Sequence, residues 1–157
     1  QRRSLLVDAA IVLVMALVAV VGYRYSPLLL PKADLTLTPP PGCDLNHSAC
    51  AASLPEGGRV ELAIAPQPVP VVKPLTVTAT IDGLEVRHAE IDFAGATMNM
   101  GFNRQPLTAE APNRYVGQAT IPVCVTGRMA WVATLLLETD RQRISVPFHF
   151  EAPLETP

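Results

Sequence analysis

Leu75-Thr76-Val77-Thr78-Ala79-Thr80-Ile81, closed by Asp82-Gly83, decides the fold class. Apolar residues alternate with threonine at a period of two. That puts Leu75, Val77, Ala79 and Ile81 on one face of a β-strand and the hydroxyls on the other. Threonine and β-branched residues suit a pleated, half-buried surface, and Asp-Gly marks a tight turn.

The same period recurs on both sides. Upstream, Val60, Leu62 and Ile64 alternate with Glu61 and Ala63 after a turn at Pro55-Glu56-Gly57-Gly58. Pro66-Gln67-Pro68-Val69-Pro70 then breaks pairing, as proline does within a sheet. Downstream, Ala89, Ile91 and Phe93 face one way, with His88, Glu90 and Asp92 on the other side. Ala96-Thr97-Met98-Asn99-Met100-Gly101-Phe102 reads as extended and ends at a glycine. Residues 103–113 are polar, contain Pro106 and Pro112, and read as a loop. Residues 115–121 and 130–137 read as strands, the second apolar on both sides and hence central. Ile144, Val146, Phe148 and Phe150 alternate in a last strand that Pro147 demotes towards an edge. No helical period interrupts these runs. The expectation is an all-β, immunoglobulin-like or cupredoxin-like antiparallel β-sandwich of about seven strands, spanning residues 54–157.

A different signal precedes the strands. From Leu5 to Tyr23 the chain is a 19-residue apolar run interrupted only by Asp8. That length suffices to cross a bilayer as a helix. Arg2 and Arg3 precede the run, and Tyr23, Arg24 and Tyr25 follow it as interfacial anchors. The short N-terminal stub favours an inside N-terminus and export of everything after Tyr25. A cleaved signal peptide is the competing reading, but Gly-Tyr-Arg-Tyr-Ser-Pro makes a poor cleavage site. Residues 1–25 are therefore expected to be a transmembrane signal anchor in a bacterial inner membrane, with the C-terminal domain facing the periplasm.

Residues 26–53 read as a proline-rich linker with a cysteine loop. Pro39-Pro40-Pro41 favours extended polyproline geometry, while Leu35-Thr36-Leu37-Thr38 is either a short strand or linker. Cys43 and Cys50 are separated by six residues rich in turn formers. In an oxidising compartment a local disulfide between them is the first reading. A metal loop using Cys43, His47 and Cys50 is the alternative.

Several function classes lose support. Net charge is −2 and no basic-aromatic stripe is present, so nucleic-acid binding is not expected. There is no nucleophile elbow, no His-Glu-x-x-His and no phosphate-cradling glycine loop, and His47, His88 and His149 are scattered. An enzyme is not expected.

Sulfur is the remaining chemistry. Met98 and Met100 would project side by side from an extended segment. Cys124 is the odd cysteine if Cys43 pairs with Cys50, and Met129 follows closely. Met98, Met100, Cys124 and Met129 bracket predicted strand ends that an antiparallel fold returns to one rim. Two thioethers with a thiolate or third thioether suit Cu(I). The alternative is that Cys124 is a small buried hydrophobe and the methionines fill the core. A blue-copper centre is disfavoured, because no two histidines lie near the cysteine in sequence.

One N-terminal anchor, an exported β domain, Met98-Asn99-Met100-Gly101, Tyr115-Val116-Gly117 and Gly127-Arg128-Met129-Ala130-Trp131 together resemble the FixH and YtkA-like group. The resemblance covers roughly residues 75–150. It implies an immunoglobulin-like exported domain and a part in maturing copper-containing respiratory oxidases, with the oxidase or its assembly factors as partners. The cysteine loop and Cys124 depart from that pattern. Two functions stay open: copper handling through Cu(I), and a non-metal accessory subunit of a membrane respiratory complex, with no cofactor.

Overall fold

The computed structural model of the protein describes residues 2–29, 33–98, 101–122 and 128–152. The chain divides into two compact units, residues 1–32 and 33–157.

The first unit is α1 (Arg2–Leu29), 28 residues long. Within it Arg3–Tyr25 has a mean hydropathy of 2.8 and none of it is buried. It is one helix long and apolar enough to cross a membrane.

The second unit is mostly β. Its nine strands are β1 (Leu35–Thr36), β2 (Cys50–Ser53), β3 (Arg59–Ala65), β4 (Leu75–Asp82), β5 (His88–Gly95), β6 (Arg104–Ala111), β7 (Arg114–Ala119), β8 (Met129–Glu138) and β9 (Arg143–Ala152). They form one hydrogen-bonded order, β1-β9-β8-β5-β6-β7-β4-β3-β2. All neighbours are antiparallel except β1, which runs parallel to β9.

The period-two faces explain why this sheet curls. Val60, Leu62 and Ile64 of β3, Leu75, Val77, Ala79 and Ile81 of β4, and Trp131, Ala133, Leu135 and Leu137 of β8 are all buried on one side. Those residues join one core cluster. A sheet that buries one face without a covering helix must bend so that the face covers itself. Phe93 and Phe150 meet edge to face inside it, with ring centroids 6.4 Å apart.

β6 is the strand that turns the sheet. Residues 104–107 pair with β5, and residues 108–111 pair with β7. Phe93 N–H donates to Asn103 O at 2.9 Å, which makes Glu90 and Pro106 a non-hydrogen-bonded pair three steps further on. The Pro106 nitrogen therefore points away from β5, to an edge where no ladder partner is lost. Residues 103–113, read from sequence as loop, thus hold a strand in spite of their proline. Gly117 lets β7 approach this crossing. A Cβ there would stand 2.8 Å from Pro106 O and 2.6 Å from Leu107 Cδ2.

The strand count of about seven is corrected to nine. β1, β2 and β6 are additional, while the described part of the methionine segment, residues 96–98 and 101–102, is not strand. Residues 96–98 bend after β5, and Gly101 takes a left-handed φ of 85°. The linker reading of residues 26–53 also meets tertiary contacts: Leu37, Leu45 and Cys50 are buried in the core.

Strand directions give the second unit two ends. The chain enters beside the start of β9, where Asp34 N–H donates to Arg143 O at 2.9 Å. This entry end is polar, with an Arg87–Asp140 ion pair and an Asn113 amide donating to Asp82 at 3.1 Å. The far end collects the end of β5 and the starts of β6 and β8. It also holds the end of β9 and the connections around residues 66–74 and 120–122.

Candidate functional site

The register of β5 and β8 brings two of the four predicted sulfur ligands towards each other. Gly95 pairs with Trp131, and Ala96 N–H donates to Ala130 O at 2.9 Å, one step beyond the ladder. The turn that carries Met98 therefore lies beside the first residues of β8, where Met129 stands. Their environments differ. Met98 is 45% exposed, whereas Met129 is 6% exposed and belongs to the core. Alternation along β8 causes this, since Met129 and Trp131 share the inward face. Met100 and Cys124 lie outside the described residues.

A second bond draws the neighbouring connections to the same end. The Asn103 side-chain amide donates to Thr120 O at 2.9 Å, and Val72 N–H donates to Ile121 O at 2.8 Å. The chain after the methionine segment thus sits against the chain that leads towards Cys124.

Cys43 and Cys50 form a disulfide with a Cα–Cα distance of 5.7 Å. Their sulfurs are joined to each other, so the alternative loop of Cys43, His47 and Cys50 holds no thiolate for a metal. Noncovalent contacts also seat this loop. Leu45 is fully buried, and the Asn46 amide donates to Glu151 O at 2.7 Å while its oxygen accepts from Val69 N–H at 3.0 Å. Asn46 thereby caps the end of β9 that β1 leaves uncovered, a role that its place in a turn-rich stretch did not announce.

An open cleft of about 580 Å³ lies between this loop and the ends of β8 and β9. Asp44, His47, Arg128, His149 and Glu151 supply its charged and titratable groups. Asn46 N–H donates to Asp44 Oδ1 at 2.9 Å and is the main cause of a lowered Asp44 pKa. Partial burial opposes that shift, while hydrogen bonds from His47 and the Asn46 side chain add to it. His47 Nδ1 lies 3.0 Å from Asp44 Oδ2, and Arg128 pairs with Glu151 at 3.8 Å. His88 is elsewhere, 3.1 Å from Glu90 at the start of β5. Among the described residues no three His, Cys, Asp or Glu side chains stand close enough to hold a metal ion.

Two residues at the far end carried no sequence signal. Phe102 is 82% exposed, and the Arg104 guanidinium lies 5.2 Å from its ring centroid. Val72 has a φ of 60°, a left-handed backbone rare for a β-branched residue, and is 60% exposed.

No protein-family model matches the chain, and no curated protein matches it. Among solved structures, the crystal structure of an engineered protein aligns with 66% of this chain at 18% identity and a TM-score of 0.47. The chain spans 21% of that protein.

Proposed function

We propose that this is a membrane-tethered protein of the bacterial inner membrane that carries copper as Cu(I) on periplasmic sulfur ligands. In this reading it serves the assembly of a respiratory oxidase. The observation that carries the reading is the Ala96–Ala130 hydrogen bond, which sets the Met98 turn against the start of β8 next to Met129. Exposed thioether at Met98 is chemistry suited to a soft monovalent ion. Met100 and Cys124 complete the proposed donor set. The domain is read as an immunoglobulin-like sandwich, with β6 passing between its two layers. Its disulfide suits an oxidising compartment, and α1 supplies the anchor. A tether holds such a carrier near membrane-bound clients and raises its effective concentration there.

The non-metal accessory subunit is the second reading, and the burial of Met129 favours it, since a core methionine needs no metal to explain it. Full-length protein in detergent, titrated with Cu(I) against a chromophoric chelator under ascorbate, separates the two. Withdrawal of copper that is lost in Met98→Leu/Met100→Leu supports the carrier. Absence of competition by the native protein removes the metal role.

A further inference from the structure

Asp8 is the one charge within the apolar run of α1. The uninterrupted apolar stretch after it, residues 9–23, holds 15 residues and rises about 22 Å. A hydrocarbon core of about 30 Å needs more than that. A spanning α1 therefore draws Leu5, Leu6 and Val7 into the core as well, and Asp8 lies further in than they do. Lysine and arginine leave such a position on long flexible stems; the short stem of aspartate does not reach as far.

Nothing within the helix neutralises this carboxylate. α1 has no acidic residue in its first turn, so Asp8 stands past the free N–H groups of the helix start. Arg3, the nearest basic residue, is five positions earlier and about 140° round the helix. Among the described residues the Asp8 side chain makes no ion pair or hydrogen bond, and none of the span is buried. A charge held at membrane depth is costly, and such residues pair with one another or with polar groups of a neighbouring segment.

The two sides of α1 differ in the same sense. Leu5, Asp8, Ala9, Val12, Ala16 and Val20 border a shallow groove of about 730 Å³. Ala9 and Ala16 let a second helix backbone come close to that side. The opposite side carries Val7, Ile11, Val14 and Val18, all bulky and apolar, which suits lipid.

We infer that the Asp8 side of α1 docks a transmembrane helix of another protein, one that carries a Lys, Arg or His at the depth of Asp8. Charge complementarity selects the basic residue. Acyl chains offer a carboxylate no partner, and a parallel second copy brings a like charge to the same depth. The inference rests on the reading of α1 as a membrane anchor and names the class of partner that the anchor takes.

The test uses the full-length chain in the membranes of the cells that make it. A photo-crosslinking p-benzoylphenylalanine replaces Val12, or Val14 on the other side as a control. Position 12 should give an adduct with a different membrane protein, about tenfold more than position 14, through a transmembrane peptide containing Lys, Arg or His. Asp8→Asn keeps the shape and removes the charge, and should lower the adduct per membrane-bound chain about tenfold, while Asp8→Glu retains it. An adduct that survives Asp8→Asn, a crosslinked segment without a basic residue, adducts only with lipid or a second copy, or no adduct at all overturns the inference. Alkaline carbonate washing of the same membranes reads the anchor separately. A chain that stays in the pellet without adduct overturns the docking alone, whereas a chain that washes out overturns the anchor reading and the docking with it.

Discussion

The side-chain amide of Asn46 donates to the carbonyl oxygen of Glu151 at 2.7 Å, across 105 residues of sequence. The same side chain accepts from Val69 N–H, so one residue joins the disulfide loop, the β3–β4 connection and the end of β9. Asn46→Ala leaves the Val69 donor and the Glu151 acceptor without these partners. The expected loss is about 2 kcal/mol, measured by urea unfolding of the full-length protein in detergent. Asn46→Asp keeps the acceptor for Val69 but sets a carboxylate against Glu151 O and Asp44 Oδ1, and should cost at least as much as Asn46→Ala.

Gly117 is required by the β6 crossing. In Gly117→Ala the new methyl meets Pro106 O and Leu107 Cδ2 at 2.8 and 2.6 Å. Side chains can give way, but a strand's backbone carbonyl cannot do so without shifting the strand. Gly117→Ala should therefore cost about 2 kcal/mol. Adding Leu107→Ala should fail to restore the loss, because the carbonyl contact remains. A thermal melt of the single and double variants checks this.

Val72 holds a left-handed backbone that a β-branched residue disfavours. Asparagine tolerates the left-handed region far better than valine. Val72→Asn should thus raise the unfolding temperature by a few degrees, equivalent to about 1 kcal/mol. A thermal melt of the native protein and the variant checks this, and an unchanged or lower unfolding temperature would contradict it.

Met98 and Met129 should respond oppositely to truncation. Met129→Ala empties a core position and is expected to cost about 3 kcal/mol, whereas Met98→Ala should change stability by less than about 0.5 kcal/mol. Met129→Leu, a near volume match, should cost under about 1.5 kcal/mol. Denaturant unfolding of the three variants gives the comparison.

The lowered pKa of Asp44 makes the loop sensitive to acid. A folded-state pKa below the unfolded value means that the stabilisation is fully present above the unfolded value of 3.8 and is lost as pH falls through the folded one. Asp44→Asn should therefore flatten the acid limb of the stability profile. The difference between native protein and variant should be constant from about pH 5 to 7 and shrink below about pH 4. Equal slopes for both proteins on the acid limb would contradict it.

Much of the fold is legible in local pattern. Leu75 to Ile81 and Val60 to Ile64 declare their strands and inward faces because a period of two needs no distant partner. The apolar run of α1 declares its length, and Cys43 and Cys50 are close enough in sequence for their turn to bring them together. What local pattern cannot hold is any feature created by a remote neighbour. Pro106 argued against β6, yet its nitrogen faces an edge that exists only because the strand changes partners midway. Leu37 and Leu45 sit in a proline-rich stretch with no period, and burial comes from strands more than ten residues away.

The site divides in the same way. Residue chemistry alone nominated Met98 and Met129 as soft donors, whereas alternation on β8 decided that one faces solvent and the other the core. Val72 and Phe102 belong to different loops and carry no shared motif. Their meeting with Met98 at one end depends on hydrogen bonds between segments that are far apart in sequence. Sequence by itself determined which side chains can be buried and which atoms can bind soft metal, since both are properties of short stretches. Tertiary structure decided which of them share a surface, because that depends on strand order and register.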